Sequence, residues 1–169
     1  MPEVAKIIEE KTSRMAEYTC SSRASSYCEK SSYYHSEDYI AAQMVPWGVR
    51  LLIKNRFIRK SLLFVMARKL AHEYVIARTK YIDAVFNQAV SDGVEQVLIF
   101  GAGFDSRSIR LLTQNSPIRV FEVDAPVTQQ AKKDRLAEIG VGLPENTVYV
   151  AVDFNKEDPE QRLVENGFQ

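Results

Sequence analysis

The sequence has 169 residues, 46% of them hydrophobic and 26% charged, which is typical of one folded soluble domain and argues against a disordered chain. Its 22 Lys and Arg residues balance its 22 Asp and Glu residues, so the net charge is zero and predicts no general affinity for nucleic acid. Two cysteines are too few for a disulfide scaffold, and no cysteine or histidine has a partner at metal-ligand spacing. We therefore expect reduced thiols, a cytoplasmic location and no metal site.

The longest apolar run, residues 62–67, is much shorter than the roughly 20 residues that span a bilayer, so we expect no transmembrane segment. The N-terminus is acidic and amphipathic, unlike a secretory signal. Charge is unevenly distributed: residues 50–80 hold nine basic side chains and one acid, a net charge of +8. This stretch is either a solvated helix face or a surface that attracts an anionic acceptor, an acidic partner or an anionic membrane.

Residues before about 91 have mainly helical patterns. An amphipathic helix is predicted from Val4 to about Tyr18, and the Ser- and Tyr-rich segment 19–39 is expected to be short helix and loop. Pro46 interrupts the pattern. Apolar residues recur at helical spacing over 57–90, where Thr79 is expected to cap a second helix that ends at Gly93.

Residues after 91 alternate short apolar runs with helices. Strands are predicted at residues 97–100, 118–123 and 147–152. Helices are expected at residues 105–112, from Asp124 and Pro126 to about 139, and from Asp158 and Pro159 to Gly167. The first run is continuously apolar, as in a strand buried on both faces. This βαβαβ order predicts an α/β fold with a Rossmann-like parallel sheet.

Ligands of open parallel sheets bind beyond the carboxyl ends of the strands. In this sequence those ends carry Gly101-Ala102-Gly103, then Glu122 and Asp124, then Asp153. Glycines allow close approach to the backbone, and an acid after the second strand can accept hydrogen bonds from ribose hydroxyls. A polar group after the third strand can bind an adenine amino group, so the three ends predict a nucleoside pocket.

The choice of nucleoside depends on residue 106. The dinucleotide fingerprint G-x-G-x-x-G/A needs a small last residue there, whereas this chain has Ser106. S-adenosylmethionine carries an amino acid end and no pyrophosphate, so the glycine pair without the third glycine favours it. A NAD(P)-dependent oxidoreductase remains the alternative, disfavoured also by the roughly 90 residues before the first strand.

Several motifs resemble those of one family. Residues 97–111 resemble its LGAGxDxRxxRL signature, and residues 121–126, FEVDAP, its xEVDxP motif. Residues 78–83 resemble RTxxID, residues 151–154 resemble xxDL with Phe154 for the usual Leu, and residues 166–168 resemble aGFd. Over residues 74–169 the chain is therefore similar to the N-terminal portion of the leucine carboxyl methyltransferase family, class I S-adenosylmethionine-dependent methyltransferases.

The resemblance implies cofactor-binding residues. They are Arg78, Gly101, Gly103, Asp124, Asp153 and Phe154. Arg78 would bind the carboxylate of S-adenosylmethionine, Gly101 would contact it through the backbone, Asp124 would hold the ribose, and Asp153 with Phe154 would bracket the adenine. The resemblance also implies one structural domain, with residues 1–90 as a helical lid on the substrate side and residues 91–169 as the cofactor-binding portion.

Other polar residues near the motifs are expected to be structural. Glu122 is disfavoured as a ribose ligand on the expectation that strand alternation turns it away from the surroundings of Asp124. Asp105, Arg107 and Arg110 are interpreted as a helix cap and structural ion pairs.

The family methylates acceptors by in-line displacement, and its members include enzymes that act on a protein's C-terminal carboxylate and others with small-molecule acceptors. The resemblance thus implies O-methylation of a carboxylate or another oxygen, and no catalytic residue is named because an ionised carboxylate needs no general base. Three of the usual seven strands are predicted, so we expect a fragment, a truncated product or a half that needs a partner chain. A non-catalytic S-adenosylmethionine-binding or interaction module is the alternative.

Overall fold

The computed structural model describes residues 12–59, 61, 69–113 and 115–169. The predicted helix start at Val4, and residues 62–68 of the predicted 57–90 helix, lie outside the described residues. In chain order the elements are α1 Arg14–Tyr27, α2 Tyr39–Met44, α3 Trp47–Lys54, α4 Lys69–Ser91, β1 Gln96–Phe100, α5 Arg107–Arg110, β2 Arg119–Asp124, α6 Pro126–Glu138, β3 Thr147–Ala151 and α7 Pro159–Glu165.

The three strands form one parallel sheet in the order β1-β2-β3. Phe100 at the end of β1 lies beside Val123 of β2, and Val123 lies beside Val150 of β3. Each crossover between neighbouring parallel strands contains a helix, α5 for the first and α6 for the second. The predicted α/β class, the βαβαβ order and the parallel direction are all confirmed.

The two faces of the sheet are covered by different parts of the chain. On one face, α7 contributes Leu163 to a core whose buried members are Phe121, Val123, Val150, Val152 and Leu163. A second core joins the N-terminal helices to the loop after β1 and to α6. Its buried members are Ala16, Cys20, Ala24, Ile40, Ala41, Met44, Val45, Ile53, Phe104 and Leu136. Phe104 and Leu136 thus share a core with helices α1 to α3. The boundary near residue 90 between a helical lid and a cofactor-binding portion stays a prediction.

The first strand is less buried than its sequence predicts. Leu98 is 39% exposed and Phe100 is 58% exposed, so the prediction of a strand buried on both faces is wrong. Strand β1 pairs with β2 along one edge, and within the described ranges no strand pairs with its other edge. The apolar run is the pattern of a central strand, but in this chain β1 lies at the edge of the sheet.

Helix α1 continues through the Ser-rich segment to Tyr27, so the prediction of short helix and loop after Thr19 is wrong for that part. Ser22, Ser25 and Ser26 are all buried. Serine has a low intrinsic helix propensity because its hydroxyl competes for backbone hydrogen bonds. Here its small side chain lets α1 pack closely against α2 and α4, and this packing overrides the propensity.

Helix α4 is continuous through Thr79, so the predicted cap at this residue is wrong. The Thr79 hydroxyl donates to the carbonyl oxygen of Val75 at 2.7 Å, one turn earlier, and is buried there. A threonine hydroxyl can therefore be satisfied inside a helix without starting one. The predicted end is confirmed, because α4 stops at Ser91 and the N–H of Gly93 bonds to the carbonyl of Val90.

The remaining helix signals were partly correct. Asp158 caps α7 by accepting from the N–H of Glu160 at 2.9 Å, and Pro159 is the first helical residue, as predicted. Asp124 is not the cap of α6; the cap position is Ala125, and Asp124 ends β2. Helix α5 covers only Arg107–Arg110 and is shorter than predicted.

Candidate functional site

The loop after β1 and the ends of β2 and β3 form one continuous edge, which we call the rim. The N–H of Ala102 bonds to the carbonyl oxygen of Val123 at 3.0 Å, and the N–H of Val152 bonds to that of Asp124 at 3.0 Å. These bonds continue the sheet pairing past the last strand residues. The fold therefore brings together five of the six predicted cofactor residues. They are Gly101, Gly103, Asp124, Asp153 and Phe154.

Asp124 is buried at the centre of the rim. Its Oδ2 accepts a hydrogen bond from the N–H of Gly103, and its Oδ1 accepts one from the N–H of Ala125 at 2.7 Å. Each carboxylate oxygen has two lone pairs, so both oxygens keep the capacity to accept a further hydrogen bond. Asp124 therefore fixes the glycine loop and can still serve as an acceptor for a ligand hydroxyl.

The two glycines of the loop have different surroundings. Gly101 has φ of +65° and is exposed. A Cβ added to it would have no heavy atom of the described residues within 4 Å, apart from its own chain neighbours. Gly103 has φ of +53° and is buried, and its Cβ would lie 3.0 Å from the Cβ of Ala16 in α1. Gly101 thus leaves open space over the backbone, whereas Gly103 allows helix α1 to approach the loop.

Asp153 follows β3 and is partly exposed. Its Oδ2 lies 3.0 Å from the Nζ of Lys156, and its Oδ1 accepts from the N–H of Asn155 at 3.0 Å. These interactions lower the pKa of Asp153 below its ordinary value, the hydrogen bond from Lys156 contributing most. Asp153 is therefore ionised at neutral pH and can act only as a hydrogen-bond acceptor towards a ligand.

Phe154 lies next to an aromatic residue that the sequence analysis missed. Its ring centroid is 5.4 Å from that of Phe100, with the planes inclined at 58°. Phe154 is 44% exposed and Phe100 58%, so the pair offers an accessible apolar surface beside the rim. Aromatic faces of this kind stack with flat rings. Phe100 directly precedes Gly101. Its position beside the glycine loop was the sequence signal that could have identified it as a candidate site residue.

Arg78 is the one predicted cofactor residue that the rim does not include. It is exposed on α4, five residues before Asp83, whose carboxylate contacts Arg107 and Arg110 near the loop. Five residues correspond to a rotation of about 140° around a helix axis. Arg78 therefore projects from a different side of α4 than the side that faces the loop.

Glu122 is bonded to other side chains of the protein, and strand alternation is not what separates it from Asp124. Alternation places Glu122 and Asp124 on the same face of β2, so the expectation that it points elsewhere is wrong. Its carboxylate is paired with the Nζ of Lys132 and accepts from the hydroxyl of Ser108 at 2.8 Å. Burial raises the pKa of Glu122, and the charge of Lys132 opposes that rise.

The charged residues of the signature make the structural ion pairs that the sequence predicted. Asp83 of α4 accepts from Arg107 at 2.8 Å and from Arg110 at 2.6 Å. Asp105 accepts from the N–H of Arg107 at 2.8 Å. Burial opposes ionisation of Asp105, but the charges of Arg107 and Arg23 outweigh it, so the pKa of Asp105 lies below its ordinary value. The network fastens the loop to α4.

Ser106 stands where the dinucleotide fingerprint has its third small residue. It is buried, and its hydroxyl donates to Oδ1 of Asp38 at 2.7 Å. Asp38 itself is 1% exposed and precedes α2. Asp38 is also paired with Arg23, whose Nε lies 2.7 Å from Oδ2 of the carboxylate. Ser106 therefore belongs to a buried network that links the loop to the N-terminal helices.

Several cations of the basic stretch have structural partners. Arg59 is buried against Glu29 at 2.9 Å, and Lys80 donates to the carbonyl oxygen of Ser32 at 2.6 Å. Arg50 donates to the carbonyl of Gln43. Lys60 and Arg68 lie outside the described residues. Exposed basic residues that remain among the described ones are Lys54, Arg56 and Arg78, so the stretch is less available to an anionic partner than its net charge indicates.

Fold and rim together define an α/β chain with a Rossmann-like parallel sheet, whose glycine loop and strand ends lie at one edge. The family model for leucine carboxyl methyltransferase matches residues 38–169, and the chain belongs to that family. The family assignment made from the motifs is therefore confirmed. Among the described residues, no helix has the length and apolarity needed to cross a membrane.

Curated relatives match a shorter stretch. YktD of Bacillus subtilis (strain 168), provisionally described as an S-adenosyl-L-methionine-dependent methyltransferase, is 34% identical over 94 residues, which cover 56% of this chain and 31% of that protein. A Mycobacteroides abscessus protein of the same description is 37% identical over 92 residues, covering 54% and 30%. A Streptomyces coelicolor protein is 34% identical over 93 residues, covering 54% and 32%. The matched stretch thus spans about a third of each relative.

Proposed function

We propose that this chain carries the adenosine-binding part of an S-adenosylmethionine-dependent methyltransferase that methylates an oxygen acceptor, most simply a carboxylate. The observation that carries the proposal is the rim, where the loop of Gly101 and Gly103 is bonded to Asp124 and followed by Asp153. Family membership and the described activity of the relatives support the same class of reaction.

The rim residues have the properties that an adenosine ligand requires. Gly101 leaves open space above its backbone, and Asp124 keeps acceptor capacity for the ribose hydroxyls. Asp153 is ionised and accepts hydrogen bonds, which suits the adenine amino group, and Phe154 with Phe100 provides a surface for the purine ring. Arg78, which the family resemblance implies for the cofactor's carboxylate, projects from a different side of α4 than the side that faces the loop, so the proposal rests on the rim residues and not on Arg78.

The reaction makes few chemical demands on the chain. When bound, S-adenosylmethionine supplies an electrophilic methyl group, and an acceptor oxygen displaces the sulfur in line. The protein's own contribution is to hold the two reactants in alignment. A carboxylate acceptor is already ionised near neutral pH. The chain therefore needs no general base, and we assign no catalytic residue.

The acceptor is either a small molecule or a protein C-terminal carboxylate. If the exposed cations Lys54 and Arg56 attract it, their neutralisation raises the acceptor KM and leaves S-adenosylhomocysteine affinity unchanged. Arg59 is excluded from such a variant because its removal would leave Glu29 unpaired in a partly buried site. We further propose that turnover requires additional strands or a partner chain beside β1, and that the protein acts in the cytoplasm, where its free Cys20 and Cys28 remain reduced.

The proposal is tested by calorimetric titration of the 169-residue chain with S-adenosylhomocysteine. We expect binding by the unaltered chain and a loss of at least tenfold in Asp124→Ala. Glu145→Ala is the matched control, because it removes the same charge from the exposed turn before β3, away from the rim, and is expected to bind normally. Circular dichroism of each variant establishes that it is folded.

The outcomes separate the alternatives. No binding by the folded chain contradicts the proposal, and tighter binding of NAD than of S-adenosylhomocysteine favours the oxidoreductase. Turnover by the 169-residue chain, when acceptors are supplied together with S-adenosylmethionine, excludes the non-catalytic module and contradicts the requirement for additional strands or a partner chain.

A further inference from the structure

We propose that Arg23, held by Asp38, is a positioning residue for the glycine loop, so that the N-terminal helical region forms part of the cofactor site and does not merely cover it. The expected effect of Arg23 on cofactor affinity rests on the proposed function. Its structural part can be tested on the chain without ligand.

The guanidinium of Arg23 bridges two groups that are far apart in sequence. Its Nε lies 2.7 Å from Oδ2 of Asp38, and its Nη2 donates to the carbonyl oxygen of Phe104 at 2.6 Å. The Arg23 side chain is 11% exposed and that of Asp38 is 1% exposed, so water competes little with either bond. One arginine of α1 thus reaches the residue that directly follows Gly103.

Asp38 is itself fixed by several elements, which makes it a firm anchor for Arg23. Its Oδ1 accepts from the N–H of Ala41 at 2.9 Å, at the start of α2. The same oxygen accepts from the hydroxyl of Ser106 at 2.7 Å, and the Nε of Arg110 lies 3.7 Å away. Asp38 therefore connects α1, α2 and the start of α5 around the loop.

The loop is held at both ends of one dipeptide. The N–H of Gly103 bonds to Asp124 from the sheet side, and the carbonyl of Phe104 bonds to Arg23 from the helical side. The ring of Phe104 is buried in the helical core beneath the guanidinium of Arg135, 4.3 Å from the ring centroid. The two hydrogen bonds fix the orientations of the Ala102–Gly103 and Phe104–Asp105 peptides and hence the backbone that precedes them at Gly101.

Loss of this anchor should weaken cofactor binding, because backbone groups that contact a ligand must be held within about 0.5 Å of their productive positions. A hydrogen bond made by a charged group corresponds to roughly 10- to 100-fold in an equilibrium constant. We expect Arg23→Met to weaken S-adenosylhomocysteine binding by that range. Arg23→Lys should have a smaller effect, because a single ammonium keeps the charge opposite Asp38 but lacks the fork that reaches Phe104 at the same time.

Glu17→Gln is the matched control. Glu17 also lies on α1 and forms two hydrogen bonds with an arginine, Arg135 of α6, one of them at 3.0 Å. Within the described ranges Glu17 makes no hydrogen bond to the loop backbone, and its partner Arg135 contacts the loop through the ring of Phe104 and not through its backbone. We expect a lower free energy of unfolding in Glu17→Gln, with the dissociation constant changed by no more than about two- to threefold, within the scatter expected of a remote site.

The experiment combines the calorimetric titration with S-adenosylhomocysteine and a measurement of hydrogen exchange. The exchange is followed at the loop amides, residues 102–105, in the ligand-free 169-residue chain. We expect exchange at least tenfold faster in Arg23→Met and unchanged in Glu17→Gln. Unchanged loop exchange and unchanged affinity in Arg23→Met would overturn the inference. If Arg23→Met does not fold, Arg23→Lys decides: faster loop exchange supports the inference, and exchange and affinity like those of the unaltered chain overturn it.

Failure of the proposed function gives a different result. If the unaltered chain does not bind S-adenosylhomocysteine, the proposed function is contradicted. The hydrogen-exchange measurement still shows whether Arg23 positions the loop, because it is made without ligand.

Discussion

The backbone N–H of Gly103 donates a hydrogen bond to Oδ2 of Asp124, and this bond joins the loop after β1 to the last residue of β2. The acid expected to hold a ribose therefore also determines the shape of the glycine loop. Binding measurements on Asp124 variants report both roles together. For this reason the loop itself is best probed at its glycines.

Substitution of the two glycines separates backbone strain from crowding. Gly101→Ala should lower the free energy of unfolding by about 1–2 kcal/mol, the strain of an L-residue at positive φ. Gly103→Ala carries the same strain and adds a contact at 3.0 Å with Ala16, which should cost about 1–3 kcal/mol more. Urea denaturation of both variants measures the difference. Equal losses would contradict the close packing of α1 against the loop.

The buried pair of Glu122 and Lys132 should show strong coupling. Removing one partner leaves an unpaired buried charge, so Glu122→Met or Lys132→Met alone should cost about 3–5 kcal/mol. The double variant should be less destabilised than the sum of the two, by about 1–3 kcal/mol. A double-mutant cycle followed by urea denaturation measures this coupling energy.

The control for that cycle is the exposed pair of Arg162 and Glu165, whose nitrogen and oxygen lie 3.3 Å apart. Its coupling should lie within about 0–1 kcal/mol, as for other exposed pairs. Additive effects at Glu122 and Lys132 would show that the two charges do not depend on each other for burial.

Cys20 should make stability depend on pH in the alkaline range. Burial raises the pKa of its thiol from 9.0 to about 11. The folded chain therefore binds this proton more tightly than the unfolded chain, so the contribution is complete below pH 9 and is lost as pH rises towards 11. Two pKa units correspond to about 2–3 kcal/mol.

Comparison of the unaltered chain with Cys20→Ala isolates this contribution. The free energy of unfolding should decrease less steeply between pH 9 and 11 in the variant, whatever the constant cost of the lost sulfur atom. Tyr149, whose pKa burial also raises, contributes equally to both proteins and cancels in the difference. Identical slopes would show that the Cys20 thiol does not titrate differently on folding.

The outer edge of β1 should promote self-association of the 169-residue chain. Leu98 and Phe100 are exposed there, and unpaired strand edges with apolar side chains pair readily with other chains. Leu98→Lys should shift the sedimentation velocity distribution at micromolar concentration towards monomer. Val164→Lys, at a residue of α7 that is 63% exposed, is the control and should not. Association that persists in Leu98→Lys would place the contact elsewhere.

Sequence alone was sufficient for the parallel direction of the strands and for their order along the chain. Three apolar runs separated by helices allow a parallel arrangement, and the helix signals at Asp158 and Gly93 depend on neighbouring residues only. The meeting of Gly101, Asp124 and Asp153 at one edge follows directly, because parallel strands end on the same side. The family was likewise readable, since its motifs are local.

Tertiary structure decided the features that depend on distant partners. Helix α1 runs through serines because α2 and α4 pack on them, and Glu122 is unavailable to a ligand because Lys132 pairs with it. Strand β1 is exposed because no described element covers its outer side, although its sequence is that of a central strand.

The contact between Arg23 and Phe104 spans 81 residues, and nothing in either local sequence predicts it. Local patterns fix the period of an element and the residues that start or end it. Only the folded chain determines which buried charges and apolar faces meet, because burial makes each of them depend on a partner from elsewhere in the sequence.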